Sequence, residues 1–261
     1  MDSDGGPRDH DAQILDGIRA LHERMSELER RIAPAARAGP SVVPAWQRPT
    51  EGEARWQVAL AVAVAVALEY PLPGKLVLVH PDWLLPTLQG LLLIVLVAAN
   101  PHRINTQSRV IRMLGLILAA LLSLTNAYSL ARLAIYLVQG TEGNSAGPLL
   151  ITGGSIWLTN VIVFGLWYWE FDRGGPVARA QALRMYPDFQ FAQMAAPQLA
   201  PPGWEPAFSD YLYLSFTNAT AFSPTDTLPL SRWAKMGMTA QASVSIVTVA
   251  LVVARAVNIL R

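Results

Sequence analysis

Long uncharged apolar runs constrain this chain more than any other feature. The segments Val110 to Val138 and Trp233 to Leu260 each exceed twenty residues with few charges, and about twenty apolar residues are what a helix needs to cross a bilayer core. Composition agrees, since 52% of the 261 residues are hydrophobic and 15% are charged, against roughly 25% charged in a soluble domain. The expected fold class is therefore all-α, a polytopic membrane protein with the lipid bilayer as partner. A formal net charge of +1 lends no support to a nucleic-acid partner. The absence of cysteine excludes disulfides, thiolate metal sites and thiol catalysis. Met1-Asp-Ser-Asp-Gly-Gly-Pro7 leads into no apolar h-region, so no cleavable signal peptide is expected.

Taken in order, residues 1–33 form a disordered tip and a coiled-coil-like helix. Ile14, Ile18, Leu21, Met25, Leu28 and Ile32 recur in steps of four and three, a seam about three heptads long. The same pattern suits an amphipathic helix lying on a membrane surface. Residues 34–55, with Pro34, Pro40, Pro44 and Pro49, read as a linker. A four-helix transmembrane region is expected over 56–176, built from Trp56–Tyr70, Trp83–Ala99, Val110–Val138 and Pro148–Trp169. The first of these is short for a span and reaches full length only by tolerating Glu69. Residues 177–209 read as an irregular connection, and 210–261 as a hairpin followed by a fifth transmembrane helix. Trp56, Trp83, Trp167, Trp169 and Trp233 stand at segment ends, where amphipathic rings favour the headgroup level. No internal repeat is visible, which argues against an inverted-repeat transporter.

Polar residues inside these segments carry further expectations. Thr152, Ser155, Thr159 and Asn160 share one side of the fourth helix, and Ser123, Asn126 and Ser129 run along the third; the two stripes are expected to meet through interhelical hydrogen bonds. Arg132, costly at membrane depth, is expected near the interface or paired with Glu69. Glu170, Asp172 and Arg173 are expected to form a local charge network. His102, Arg103, Arg109 and Arg112, with no acid among them, place the second-to-third connection in the cytoplasm. With five crossings, the hairpin then opens from the cytoplasmic side; if the first segment does not fully cross, or the N-terminus lies outside, it faces outward. Enzyme chemistry has no foothold: the four histidines are scattered outside the apolar segments, no metal-ligand spacing or nucleotide fingerprint appears, and no cofactor is expected.

The stretch Asp210 to Leu230 is too polar to span and too apolar for a free loop. Ser215-Phe-Thr-Asn-Ala-Thr-Ala-Phe-Ser-Pro-Thr-Asp-Thr-Leu-Pro-Leu-Ser231 resembles, without a gap, the pore loop of tetrameric potassium channels. Ser215, Phe216, Thr217, Thr220, Asp226, Pro229 and Ser231 match that pattern, and the segment after Arg232 resembles an inner helix. Together with Trp167-Tyr-Trp-Glu-x-Asp-x-Gly-Gly-Pro176, the stretch also resembles a bacterial integral-membrane family with the same two signatures. The resemblance implies a multi-pass protein of the bacterial inner membrane, a homo-oligomer with a tetramer as the guess, and small ions as its traffic.

The departures decide which chemistry survives. Potassium filters use backbone carbonyls of glycine-containing loops to replace the hydration shell. Here the five filter positions read Ala221, Phe222, Ser223, Pro224 and Thr225. Both glycines are gone, and Pro224 restricts its own backbone and that of Ser223, so the carbonyl cage cannot form. A wider ring of Thr217, Thr220, Ser223, Thr225 and Thr227 hydroxyls, with Asp226 at the mouth, would favour cations; alternatively Asp226 caps the next turn. Gln241, Ser245 and Thr248 share one face of the last helix, which suits either a pore lining or close helix packing. The expected function is a channel-like pore with a non-standard filter, and the alternative is a non-conducting scaffold or sensor that retains the hairpin.

Overall fold

The computed structural model describes residues 21–27, 43–99, 104, 108–141, 145–201, 203–220 and 226–260. They belong to two compact units, divided between Val43 and Pro44. In the first, residues 21–27 are helical, with Leu21 and Met25 more than half exposed. The other seam positions, Ile14, Ile18, Leu28 and Ile32, lie outside the described residues. The second unit starts within the stretch read as a linker, because Trp46 and Glu53 pack into the body of the protein.

The second unit consists of α1 (Trp56–Glu69), α2 (Leu84–Ala99), α3 (Arg109–Gln139), α4 (Ala146–Phe171), α5 (Pro176–Ala180), β1 (Phe189–Gln190), α6 (Ala192–Ala195), α7 (Phe208–Thr220), β2 (Leu228–Pro229) and α8 (Arg232–Leu260). Three of them, α3, α4 and α8, are long and apolar enough to cross a membrane. With 14 and 16 residues, α1 and α2 extend only about 21 and 24 Å at 1.5 Å per residue, short of a core of about 30 Å. Pro71 and Pro73 follow α1, and neither offers an N–H to continue the ladder. At the end of α3, Gly140 takes φ 70°, a left-handed turn that suits glycine.

The hub is α4. It runs antiparallel to α3, whose Arg112 reaches Glu170 at 3.3 Å, and to α8, whose Trp233 packs edge-on against Phe171. We call this the anchor end. At the opposite, far end, Leu137, Leu149, Val252 and Ala256 form a separate core cluster. There α8 approaches α4 closely: a Cβ on Gly153 would lie 2.7 Å from Val252 Cγ2. The outward faces of α1, α2, α3 and α8 stay apolar, with Leu60, Leu91, Ile94, Leu124 and Val253 among the exposed side chains. So broad an apolar surface needs an apolar surrounding or partners.

Two expectations about polar residues change. Arg132 does not pair with Glu69; its Nε donates to Lys75 O at 3.3 Å, and a guanidinium N–H donates to Tyr136 OH. The turn between α1 and α2 occupies the space between them, with Leu76 buried and its carbonyl accepting from Ser129 Oγ at 2.9 Å. Nor do the stripes of α3 and α4 bond to each other. Asn160 donates to Ser245 on α8 at 3.5 Å, and Ser123 accepts from Trp167 Nε1 at 2.8 Å. Asn126 is buried without a hydrogen-bond partner among the described residues; it lines a cleft of about 670 Å³ between α3, α4 and α8.

Candidate functional site

The stretch with the channel-like pattern folds as a hairpin that leaves and rejoins the anchor end. From Phe208, α7 descends antiparallel along α4. Leu212 Cα lies 3.4 Å from where a Gly165 Cβ would be, Ser215 Oγ donates to Val161 O at 2.6 Å, and Phe216 meets Trp157 edge-to-face at 5.8 Å. Thirteen residues carry it about 20 Å, roughly half the length of α4. The returning strand β2 pairs antiparallel with β1, Phe189 opposite Pro229, and Leu230 N–H donates to Asp188 O at 2.8 Å. Entry and exit are thus held at one level.

A buried ionic network holds them, and it links segments far apart in sequence. Glu53 Oε1 accepts from Arg179 Nη2 at 2.7 Å. Its other oxygen accepts from Trp169 Nε1 at 2.8 Å and from the backbone N–H of Phe208, the first residue of α7, at 3.0 Å. Asp172 accepts from Tyr211 OH at 2.5 Å and from Asp188 N–H at 2.7 Å. Asp188 in turn accepts from Arg173 N–H at 3.0 Å and from Trp233 Nε1 at 2.8 Å. Burial works against the Arg179 charge, but the surrounding Tyr211, Glu53 and Asp172 more than offset it and raise its pKa. The local charge network expected from Glu170, Asp172 and Arg173 is therefore a long-range one.

The signature Trp167-Tyr-Trp-Glu-x-Asp-x-Gly-Gly-Pro176 supplies most of that anchor. Its turn is strained: Arg173 has φ 53°, a left-handed conformation costing on the order of 1–3 kcal/mol in a residue with a side chain. Its side chain is tied down by donation from Nε to Arg184 O at 2.8 Å and from Nη1 to Trp46 O. Gly175 has φ 101°, and a Cβ there would come 2.9 Å from Glu170 O, so only glycine fits. Pro176 then opens α5 at its first turn, where the missing N–H costs nothing.

Gln241 fastens the hairpin to α8. Its side chain is fully buried; Nε2 donates to Ser215 O at 2.9 Å and to Ser215 Oγ at 2.6 Å. Its Oε1 accepts from Tyr168 OH and from Asn218 Nδ2, both at 2.8 Å. Ser245 and Thr248 are buried on the same face, and Thr248 Oγ1 donates to Val244 O at 2.7 Å. These three side chains face the interior of their own chain, so their burial supports helix packing over the pore-lining alternative.

The remaining site residues divide at the hairpin tip. Thr217 Oγ1 donates to Tyr213 O or Leu214 O, each at 3.0 Å, and Thr220 Oγ1 to Thr217 O at 2.9 Å. Both hydroxyl hydrogens are turned onto the α7 backbone, leaving only lone pairs for other partners. Ala221, Phe222, Ser223, Pro224 and Thr225 lie outside the described residues. Asp226 is exposed and makes no hydrogen bond among the described residues, while Thr227 is buried; the capping role considered for Asp226 has no bond to carry it. Sequence reasoning passed over Glu53 and Arg179, whose only signal was a charged residue next to an apolar segment or a Gly-Gly-Pro turn. Compared with protein-family models, curated proteins and solved structures, the chain matches none of them.

Proposed function

We propose that the chain is a channel-like, pore-forming protein of the cell membrane, a multi-pass protein of the bacterial inner membrane that assembles from identical copies, four in the simplest arrangement. It passes small ions, cations in preference. The observation that carries this reading is the α7–β2 hairpin, a helix of about 20 Å that dips between two long apolar helices and returns to its starting end. Non-helical backbone at membrane depth is tolerated only where protein or a water-filled cavity surrounds it, and a ring of copies would provide both. Asp226, exposed at the return, would set a ring of carboxylates at the mouth.

Ion flux through liposomes holding the purified oligomer is the test. Cation-selective flux is expected, and Asp226→Asn should move the reversal potential toward the non-selective value. An intact oligomer that passes no small ion overturns the proposal; an unchanged reversal potential removes Asp226 from selectivity.

A second reading, a non-conducting scaffold or sensor, is favoured by the burial of Gln241, Ser245 and Thr248 inside one chain. The outward face of α8 then offers Met236, Ile246, Val249 and Val253, with the exposed Thr239 and Ser243 hydroxyls donating to their own helix backbone, which suits lipid or a dry contact. That reading predicts a closed oligomer centre, and an image with an open axial path would exclude it.

A further inference from the structure

At the far end of α1, Glu69 sits in a pocket that nothing in the pore-loop reading uses. Its side chain is buried, as are Gln89 on α2 and Thr125 on α3. Thr125 Oγ1 stands 2.6 Å from Glu69 Oε1, and Gln89 Nε2 donates to Glu69 Oε1 at 3.3 Å and to Thr125 Oγ1 at 3.4 Å. No Lys, Arg or His lies within ion-pair distance of Glu69 among the described residues. The charged groups of the neighbouring turn and helix are engaged elsewhere: Arg132 at Lys75 O and Tyr136, Lys75 over the Tyr136 ring at 4.9 Å, and His80 with Asp82 at 2.5 Å. Tyr70 OH faces Thr87 Oγ1 at 3.4 Å.

Counting hydrogens shows what the cluster lacks. The Thr125 hydroxyl has one hydrogen but three acceptors in reach: Glu69 Oε1, Leu121 O and Leu122 O, the last two at 3.1 Å. Gln89 Oε1 is buried with no donor at all. An ionised Glu69 would be acceptor-only and would leave a buried charge with no counter-charge, which is expensive. A carboxyl proton removes the charge and supplies a donor. Donated to Thr125 Oγ1, it frees the Thr125 hydrogen for a backbone carbonyl. A cavity of about 10 Å³, lined by Glu69, Thr125, Ser129 and Asp82, has room for about one water. Asp82, on the wall of the same cavity, is half exposed.

We propose that Glu69 is a proton-binding site that exchanges with one aqueous face through the cavity beside Asp82. The proton comes from hydronium on that face, binds a Glu69 carboxylate oxygen and leaves one water; release is the reverse, to water. The site stands apart from the hairpin and does not rest on ion conduction.

Infrared difference spectroscopy of the whole chain in sealed vesicles tests it. A protonated-carboxyl carbonyl band is expected near neutral pH, lost in Glu69→Gln and abolished when the pH is raised on the Asp82 side only. Asp82→Asn should slow that loss without removing the band. Should Glu69→Gln fail to assemble, Thr125→Val must shift the same band, because it removes the hydrogen-bond partner. A Glu69 band that stays constant between about pH 5 and about pH 10, one that responds equally to either side, or no such band at any pH would overturn the proposal.

Discussion

At the residue scale, the anchor end depends on Glu53. One carboxylate joins three partners: Arg179, which closes the loop after α4, the indole of Trp169 within α4, and the free backbone N–H that starts α7. Both members of the ion pair are about 95% buried, so solvent screens them little, and removing one strands the other. Glu53→Ala is expected to lower stability by about 3–5 kcal/mol, read as an earlier midpoint in detergent unfolding. Replacing both, Glu53→Met with Arg179→Met, should recover part of that loss, because no charge is then left unpaired. A double variant as damaged as the sum of the two singles would show that the pair is not coupled. Contrast Asp226, exposed and without a bond among the described residues: substituting it should leave stability unchanged while altering only what passes the mouth.

At the element scale, close packing on α4 decides where α7 and α8 sit. On the α8 side the closest approach is at Gly153, where an added Cβ would lie 2.7 and 2.8 Å from the two methyls of Val252. Gly154, one residue on, faces open space. Gly153→Leu is thus expected to cost about 1–3 kcal/mol through overpacking, whereas Gly154→Ala should be neutral or mildly stabilising, since glycine is the poorer helix former. Paired unfolding measurements check both; equal effects would mean that α8 does not lie against α4 at that point. The same elements show what the sequence could tell. The apolar segments announced α3, α4 and α8 because a run of some twenty residues needs no tertiary information to be read. The stretch Asp210 to Leu230, too polar to span and too apolar for a free loop, marked the region of α7 in the same local way. The Glu53–Arg179 pair, 126 positions apart, leaves no local trace. The direction in which a polar helix face looks stayed open for a related cause. Helical periodicity groups Gln241, Ser245 and Thr248 correctly, but whether that face looks inward or outward depends on Ser215 and Tyr168, which arrive from other elements.

For the whole molecule, the arrangement of ends fixes a topology that can be measured. The starts of α1, α3, α7 and α8 and the end of α4 all gather at the anchor end, through Glu53, Arg112, Tyr211 and Trp233. The ends of α3 and α8 and the start of α4 gather at the far end. Among the described residues of the second unit, most of the arginines, including Arg48, Arg55, Arg109, Arg112 and Arg184, are carried by segments at the anchor end; Lys75, Arg132 and Arg255 belong to the other half. By the positive-inside rule the anchor end, with the hairpin's entry and exit, is expected to face the cytoplasm. Arg173 and Arg179 add to the count on that side, although both are buried and serve the anchor first. Because the chain has no cysteine, single-cysteine variants report each position without background. Tyr186→Cys and Leu230→Cys, both at exposed anchor-end sites, should react with a membrane-impermeant thiol reagent from the cytoplasmic side only. Val138→Cys, 77% exposed near the end of α3, should react from the opposite side only. Leu230 reacting from the Val138 side would mean that the hairpin crosses instead of returning, and the pore-loop reading would fall with it. Tyr186 and Leu230 reacting together from the non-cytoplasmic side, with Val138 reacting from the cytoplasmic one, would instead keep the hairpin and reverse the whole protein, showing that arginines committed to the buried network had been counted as topogenic charge.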